Sequence, residues 1–301
     1  MAVALAVYWL PSPINPKPHN LKGPPPALVG LLAVNTQLQR GRRLFAGKLH
    51  GPESFTADDN GNVYTGTVDG KLWRIGPDDS LTLVTHMGQN LPECGSYSSV
   101  FLFKTIKFSF LKNGSSVFSG SSTDYELVCG RPHGVRLDRH GQLIVADSYF
   151  GLYPGFLFQP PKTLPVCFRY WLKGPKAGTK EVILDNMIGY PDNIRLSDHG
   201  TFLVGITTPR FQKLLPPFLD MLAPYPKVKS FLVKVMPLSW FNLLLPYYGL
   251  VLELGPNGEI VRTLHDPEGR LTWAVSDVFQ HRGRTYLGST DLPFLPVLEG
   301  W

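Results

Sequence analysis

Apolar and polar residues alternate over short runs through most of the chain. Val63-Tyr64-Thr65, Leu143-Ile144-Val145-Ala146, Phe202-Leu203-Val204 and Thr285-Tyr286-Leu287 each follow a glycine, at positions 61, 141, 200 and 283. Alternation with period two predicts half-buried strands, and a turn that needs positive φ favours glycine. Upstream of each turn lies a second short run: Glu53-Ser54-Phe55, Pro132-His133-Gly134-Val135, Pro191-Asp192-Asn193-Ile194 and Val275-Ser276-Asp277-Val278. The chain therefore repeats a strand, a glycine turn and a strand. One hairpin cannot bury its own apolar face, so such units stack radially. The predicted fold is all-β, a β-propeller, with a β-sandwich as the competing architecture.

The spacing of the turns adds detail. The gaps of 80, 59 and 83 residues compare with ~40–50 per propeller blade. The first gap holds 96–122, a Ser, Phe and Lys-rich stretch unlike the rest. The third holds 209–246, whose apolar residues have helical spacing broken by Pro216, Pro224 and Pro237. Both read as insertions. Residues 1–45 read as a separate region. Met1–Leu10 is apolar and uncharged, half the length a membrane span needs, and a Pro-rich linker follows it. The propeller is assigned to 46–301.

Composition narrows the function classes. With 30 Gly, 28 Pro and only 17% charged residues, the chain is turn-rich, and its 43% hydrophobic content excludes general disorder. No apolar run reaches the ~18 residues of a membrane helix. The net charge of +6 is spread over short patches, such as Lys173, Lys176 and Lys180, or Lys227, Lys229 and Lys234. Nucleic-acid binding wants a basic face, and none is evident. An anionic membrane surface is the main functional alternative to scattered solvated charge. Three cysteines are too few for a disulfide scaffold.

Nine segments in order, among them GPES (51–54), TGTVDGKLWRI (65–75), VCGRPHGVR (128–136), VADSYFGLY (145–153), GYPDNIR (189–195) and YLGSTDLPFL (286–295), resemble the strictosidine synthase-like family. The resemblance implies a six-bladed propeller and arylesterase-like activity. It also implies a type II membrane topology, with the propeller in the lumen of the endoplasmic reticulum or at the cell surface. Paraoxonases and calcium-dependent lactonases are more distant relatives. Family members carry about two further blades between the second blade and the PDN segment, an interval filled here only by 154–184.

The resemblance also assigns candidate site residues. Calcium takes six to eight oxygen ligands, and Glu53, Asp192 and Asn193 resemble part of the paraoxonase calcium set. His133 resembles a proposed base of that family, and histidine moves protons near neutral pH. It needs a neighbouring acceptor or a second histidine, and the sequence names none. The catalytic glutamate of strictosidine synthase itself aligns with Ser276, which cannot do that acid–base work, so amine–aldehyde condensation is not expected.

Cys94 and Cys129 match a family disulfide pair, with two free thiols as the alternative and Cys167 left over. Asn113 heads the Asn-Gly-Ser sequon, a glycosylation candidate. The 209–246 segment resembles helices that cover the propeller mouth. Phe218, Met221, Phe231 and Trp240 would then line a lid over an apolar pocket, or face a membrane with snorkelling lysines. Two functions follow. One is a membrane-associated hydrolase of small apolar esters or lactones, assisted by calcium. The other is a non-catalytic scaffold or truncated inactive isoform.

Overall fold

In the repeats read above, the turn glycines at 61, 141, 200 and 283 all take positive φ, between +75° and +90°. At the last turn Arg282 is also at φ +50°, the pair of positive values that matches a two-residue turn to strand twist. The computed structural model describes residues 16–18, 20–95, 125–149, 151–153, 165–210, 217–235 and 246–300. The chain is all-β, built from several small antiparallel sheets, none closed on itself among the described residues. It divides into two compact units, 1–44 with 160–301, and 45–159.

After β1 (Arg42–Leu44), the 45–159 unit holds β2 (Phe55–Ala57), β3 (Val63–Gly66), β4 (Lys71–Ile75) and β5 (Leu81–His86) as a four-stranded meander. A short helix, α1 (Glu126–Cys129), leads into β6 (Pro132–Leu137), β7 (Leu143–Asp147) and β8 (Gly151–Tyr153), a three-stranded meander. The alternation predicted for 63–65 places Val63 and Thr65 inside, with Tyr64 half-buried. Asp58 closes the β2–β3 turn by accepting from the Asn62 backbone N–H at 2.8 Å and the Tyr64 hydroxyl at 3.0 Å. Burial acts to raise its pKa, but bonds from Asn62, Tyr64 and Asn60 outweigh this and hold it below the usual value. The two sheets dock through their first strands. Ser54 Oγ accepts from the N–H of Val135 at 3.3 Å, and Thr56 Oγ1 from that of Leu137 at 3.2 Å. Leu72, Val135 and Val145 form the core between them.

The other unit continues with a two-stranded hairpin, β9 (Cys167–Tyr170) and β10 (Lys180–Leu184). Next come β11 (Gly189–Leu196), β12 (Phe202–Pro209), two helices, α2 (Phe218–Leu222) and α3 (Pro226–Val235), then β13 (Gly249–Leu254) and β14 (Ile260–Asp266). Strands β11 to β14 form a four-stranded meander. The last sheet is β15 (Val275–His281), β16 (Arg284–Ser289) and β17 (Leu295–Glu299), with β1 paired antiparallel to β17. The chain's first strand thus completes its last sheet. Here the second strand of one sheet, β12, approaches the first strand of the next, β15: a Cβ on Gly205 would lie 2.7 Å from the Val275 carbonyl, so only glycine fits there.

The 30–44 segment is part of this unit. Asn35 donates to the Thr263 carbonyl at 2.9 Å and accepts from the His265 N–H at 3.1 Å. Of the residues read as a lid, Met221 on α2 is half exposed and Phe231 on α3 is half-buried. The Phe218 side chain and Trp240 lie outside the described residues, as do Met1–Leu10, all of 96–122 with Asn113, and residues 154–164 of the 154–184 interval.

His265 is fully buried in this unit. The Thr263 hydroxyl donates to the Leu31 carbonyl at 2.8 Å, so its oxygen accepts from His265 Nε2–H. Nδ1 then accepts from the Tyr248 hydroxyl at 2.7 Å. Burial of this satisfied neutral ring lowers its pKa to about 4 from 6.5. The unfolded chain therefore binds a proton that the folded ring refuses between those values. Stability should fall as pH drops from about 6.5 to about 4, by up to about 3 kcal/mol from this group. His265→Asn should flatten that part of the urea-midpoint against pH curve. An unchanged slope would assign the acid loss elsewhere.

Candidate functional site

Three first strands carry a β-bulge, and each bulge falls on the residues singled out from the sequence. In β6 the register slips between Pro132 and Gly134, leaving His133 extra. In β11 it slips between Pro191 and Ile194, at Asp192-Asn193. In β15 it slips between Val275 and Val278, at Ser276-Asp277. A bulge frees one residue from the ladder and re-aims its side chain. The repeat thus places a chemistry-bearing residue at a corresponding point of these three sheets.

In the 45–159 unit this brings Glu53 and His133 together. Glu53 precedes β2, its backbone held to the Gly66 carbonyl. Its Oε1 lies 2.7 Å from His133 Nδ1. The glutamate side chain is 7% exposed and the histidine 41%. The carboxylate accepts a hydrogen bond from Nδ1–H, which leaves Nε2 as the free-base nitrogen. Behind the pair sits Arg131, 3.7 Å from Glu53 Oε2 and in a close ion pair with Glu126 on α1. Arg131 also donates its backbone N–H to Asp147 at 2.7 Å. Tyr149 donates its hydroxyl to Glu126 at 2.8 Å. Burial, with the bond to Glu126 and its charge, pushes that phenol up to about 12. One guanidinium thus serves two buried carboxylates, which lowers the cost of burying either.

The disulfide expected from the resemblance is present: Cys94 and Cys129 are bonded, with Cα atoms 5.8 Å apart. Cys129 ends α1, so the bridge pins the helix that carries Glu126 and leads into Arg131. Replacing both cysteines with serine should cost about 2–5 kcal/mol through freed loop entropy, read as a lower urea midpoint. A shift under about 0.5 kcal/mol would show that α1 is held without it. Cys167 is unpaired, and burial raises its thiol above the ordinary value.

Asp192 and Asn193 belong to the other unit, Asp192 exposed and Asn193 half-buried. There Ser276 is fully buried, and Asp277 is held by Arg195 Nε at 2.8 Å and by the Val278 N–H. Among the described residues, no group of three or more His, Cys, Asp or Glu is placed to hold a metal. Of the three candidate ligands, Glu53 as it stands does not favour a calcium ion. Glu53 is bonded to an imidazole N–H and faces a guanidinium, whose charge opposes a cation beside it.

The sequence reading missed Glu126, Arg131 and Tyr149 as partners. Arg131 and Tyr149 lie inside the VCGRPHGVR and VADSYFGLY segments, so the motifs marked the place without the roles.

Residues 30–75 match the family model "Strictosidine synthase-like, N-terminal". The chain is 27% identical to the adipocyte plasma membrane-associated protein of Homo sapiens, covering 96% of this chain and 85% of that one. It is 29% identical to the Bos taurus protein over the same shares. It is 33% identical to protein STRICTOSIDINE SYNTHASE-LIKE 3 of Arabidopsis thaliana, over 44% of this chain and 33% of that one. The alignment to the human protein runs over 386 positions but takes in 96% of the 301 residues here, an excess of at least 85, so the relative carries internal segments without counterpart in this chain. Among solved structures, virginiamycin B lyase from Staphylococcus aureus covers 83% of this chain and 67% of that one at 9% identity and a TM-score of 0.28. A gluconolactonase from Xanthomonas campestris covers 81% and 70% at 13% identity and a TM-score of 0.25. Those scores are too low to bear on function. The family model at the N-terminal end and the near full-length similarity agree with the motif order, and the chain is similar over most of its length to members of the strictosidine synthase-like family.

Proposed function

We propose that the chain is a hydrolase of small apolar esters or lactones, with His133 as general base and Glu53 as the residue that orients it. The observation that carries this reading is the 2.7 Å Glu53–His133 bond with the ring partly open to solvent. In the reaction, His133 Nε2 takes a proton from water as the water oxygen adds to the carbonyl carbon. The same proton then passes to the leaving alkoxide or phenoxide as the carbon–oxygen bond breaks. Glu53 keeps the proton on Nδ1 and stabilises the imidazolium that forms.

The relatives are named as membrane-associated, and we place this chain there too, attached through the apolar Met1–Leu10 segment with the sheets on the lumenal or extracellular side. A disulfide needs an oxidising compartment, which supports that side. Among the described residues, no helix is long and apolar enough to cross a membrane.

The test is turnover of phenyl acetate and of a simple lactone by the purified full chain, with a chelator and with added calcium. Turnover that survives the chelator supports the dyad. Turnover abolished by the chelator and restored by calcium would return Glu53, Asp192 and Asn193 to the role of metal ligands. The 85-position excess favours a second reading, a shortened and inactive isoform. No turnover of either substrate by folded, disulfide-bonded protein would select it.

A further inference from the structure

The β9–β10 hairpin presents an apolar face outward. Phe168 and Val182 are paired across the strands, as are Tyr170 and Lys180. Period-two alternation puts these four on one face. Phe168, Tyr170 and Val182 are 42%, 59% and 49% exposed, and Leu172 in the connecting loop is 82% exposed. The opposite face is anchored: Cys167 and Leu184 pack against the core of Met187, Ile188 and Leu252, and Arg169 donates to the Pro256 carbonyl. The outward face is therefore a displayed surface, with its strands held from behind.

Its charge says what it would meet. Between Cys167 and Leu184 there are four cations, Arg169, Lys173, Lys176 and Lys180, against one carboxylate, Glu181. Glu181 is taken up by Arg169 at 3.5 Å, by Lys176 at 3.3 Å and by the Trp171 indole N–H at 3.0 Å. Lys180 lies with its Nζ 3.6 Å from the Phe168 ring centroid. Lys173 and Lys180 are thus surplus positive charge beside exposed aromatic and leucyl surface. A second copy of the same face would bring like charges together.

We propose that this hairpin is a docking surface for an anionic phospholipid membrane. Leu172, Phe168 and Tyr170 would enter the boundary between headgroups and acyl chains, and the lysines would lie among the lipid phosphates. The hairpin is a different stretch of the sequence from the apolar Met1–Leu10 and from the helices α2 and α3.

The experiment is co-sedimentation of the full chain with vesicles of phosphatidylcholine alone and of phosphatidylcholine mixed with phosphatidylserine. The N-terminal segment sets the binding common to both. The hairpin adds an increment that requires phosphatidylserine and weakens with salt. Lys173→Ala is expected to reduce that increment about fivefold, and Tyr170→Ser with Leu172→Ser to abolish it. These side chains are exposed, so an unchanged thermal midpoint certifies folding. Leu172→Ser alone serves if the double variant fails to fold. The proposal falls if phosphatidylserine adds nothing or if the variants bind as the parent does. It also falls if the parent forms a concentration-dependent dimer that the variants lack, which would make the face a contact between copies.

Discussion

His133→Ala is expected to lower kcat for phenyl acetate by about 10²–10⁴-fold, the range for removal of a positioned general base, with KM little changed. The ring makes its described bond to Glu53 alone and is 41% exposed, so its loss leaves the core intact. Glu53→Gln separates orientation from charge. The amide has the carboxylate's shape, and its oxygen can still accept from Nδ1–H. It cannot stabilise the imidazolium, and its NH₂ can instead donate to Nδ1 and hold the wrong tautomer. A loss of similar order is expected, and up to ~10⁴-fold follows such a change in a serine-protease triad. Arg131 then faces an uncharged partner, so the variant's melting temperature is the necessary control. If His133→Ala keeps full turnover, the dyad is structural and the chemistry lies elsewhere.

Asp220→Ala is expected to destabilise the chain by about 3–5 kcal/mol, because it leaves a buried guanidinium without its carboxylate. Arg210 is fully buried at the end of β12. Its Nε lies 3.0 Å from both oxygens of Asp220 on α2, and its Nη1 donates to the Met187 carbonyl at 2.7 Å and to Asn186 at 3.0 Å. Asp220 also accepts from the Tyr190 hydroxyl at 3.0 Å. Burial, with the charge of Asp220, holds that phenol well above its ordinary pKa. One carboxylate therefore satisfies donors from β11 and from the end of β12, and ties α2 to the sheet. Urea denaturation reads the effect. Arg210→Met with Asp220→Leu removes both charges and should recover much of the loss. A cost under about 1 kcal/mol for Asp220→Ala alone, the scale of an exposed pair, would show that water reaches Arg210.

Local patterns set much of this fold. The alternation at 63–65 became a half-buried strand, and the four turn glycines took the positive φ that their turns need. The helical spacing after Pro209 became α2 and α3, and the break at Pro224 falls between them. These features depend on neighbours a few residues apart, so period and turn chemistry suffice to read them. Arg131 was legible as part of a motif but not as a bridge. Its two carboxylates lie on either side of the 96–124 stretch, at Glu53 and Glu126.

The all-β class, the repeat of strand, turn and strand, and the positions where chemistry could sit were thus legible in the amino-acid order alone. The meeting of Glu53 with His133 came from packing. Glu53 and His133 are eighty residues apart. They touch because the first strands of two sheets dock through Ser54 and Thr56, and because a bulge turns His133 out of its ladder. The same structure keeps Asp192 and Asn193 in a different compact unit from Glu53. Side-chain alternation is a property of one strand, whereas docking and register depend on partners distant in the chain, and a one-residue slip re-aims every side chain beyond it. That is why the Glu53–His133 contact could not be read from either strand alone.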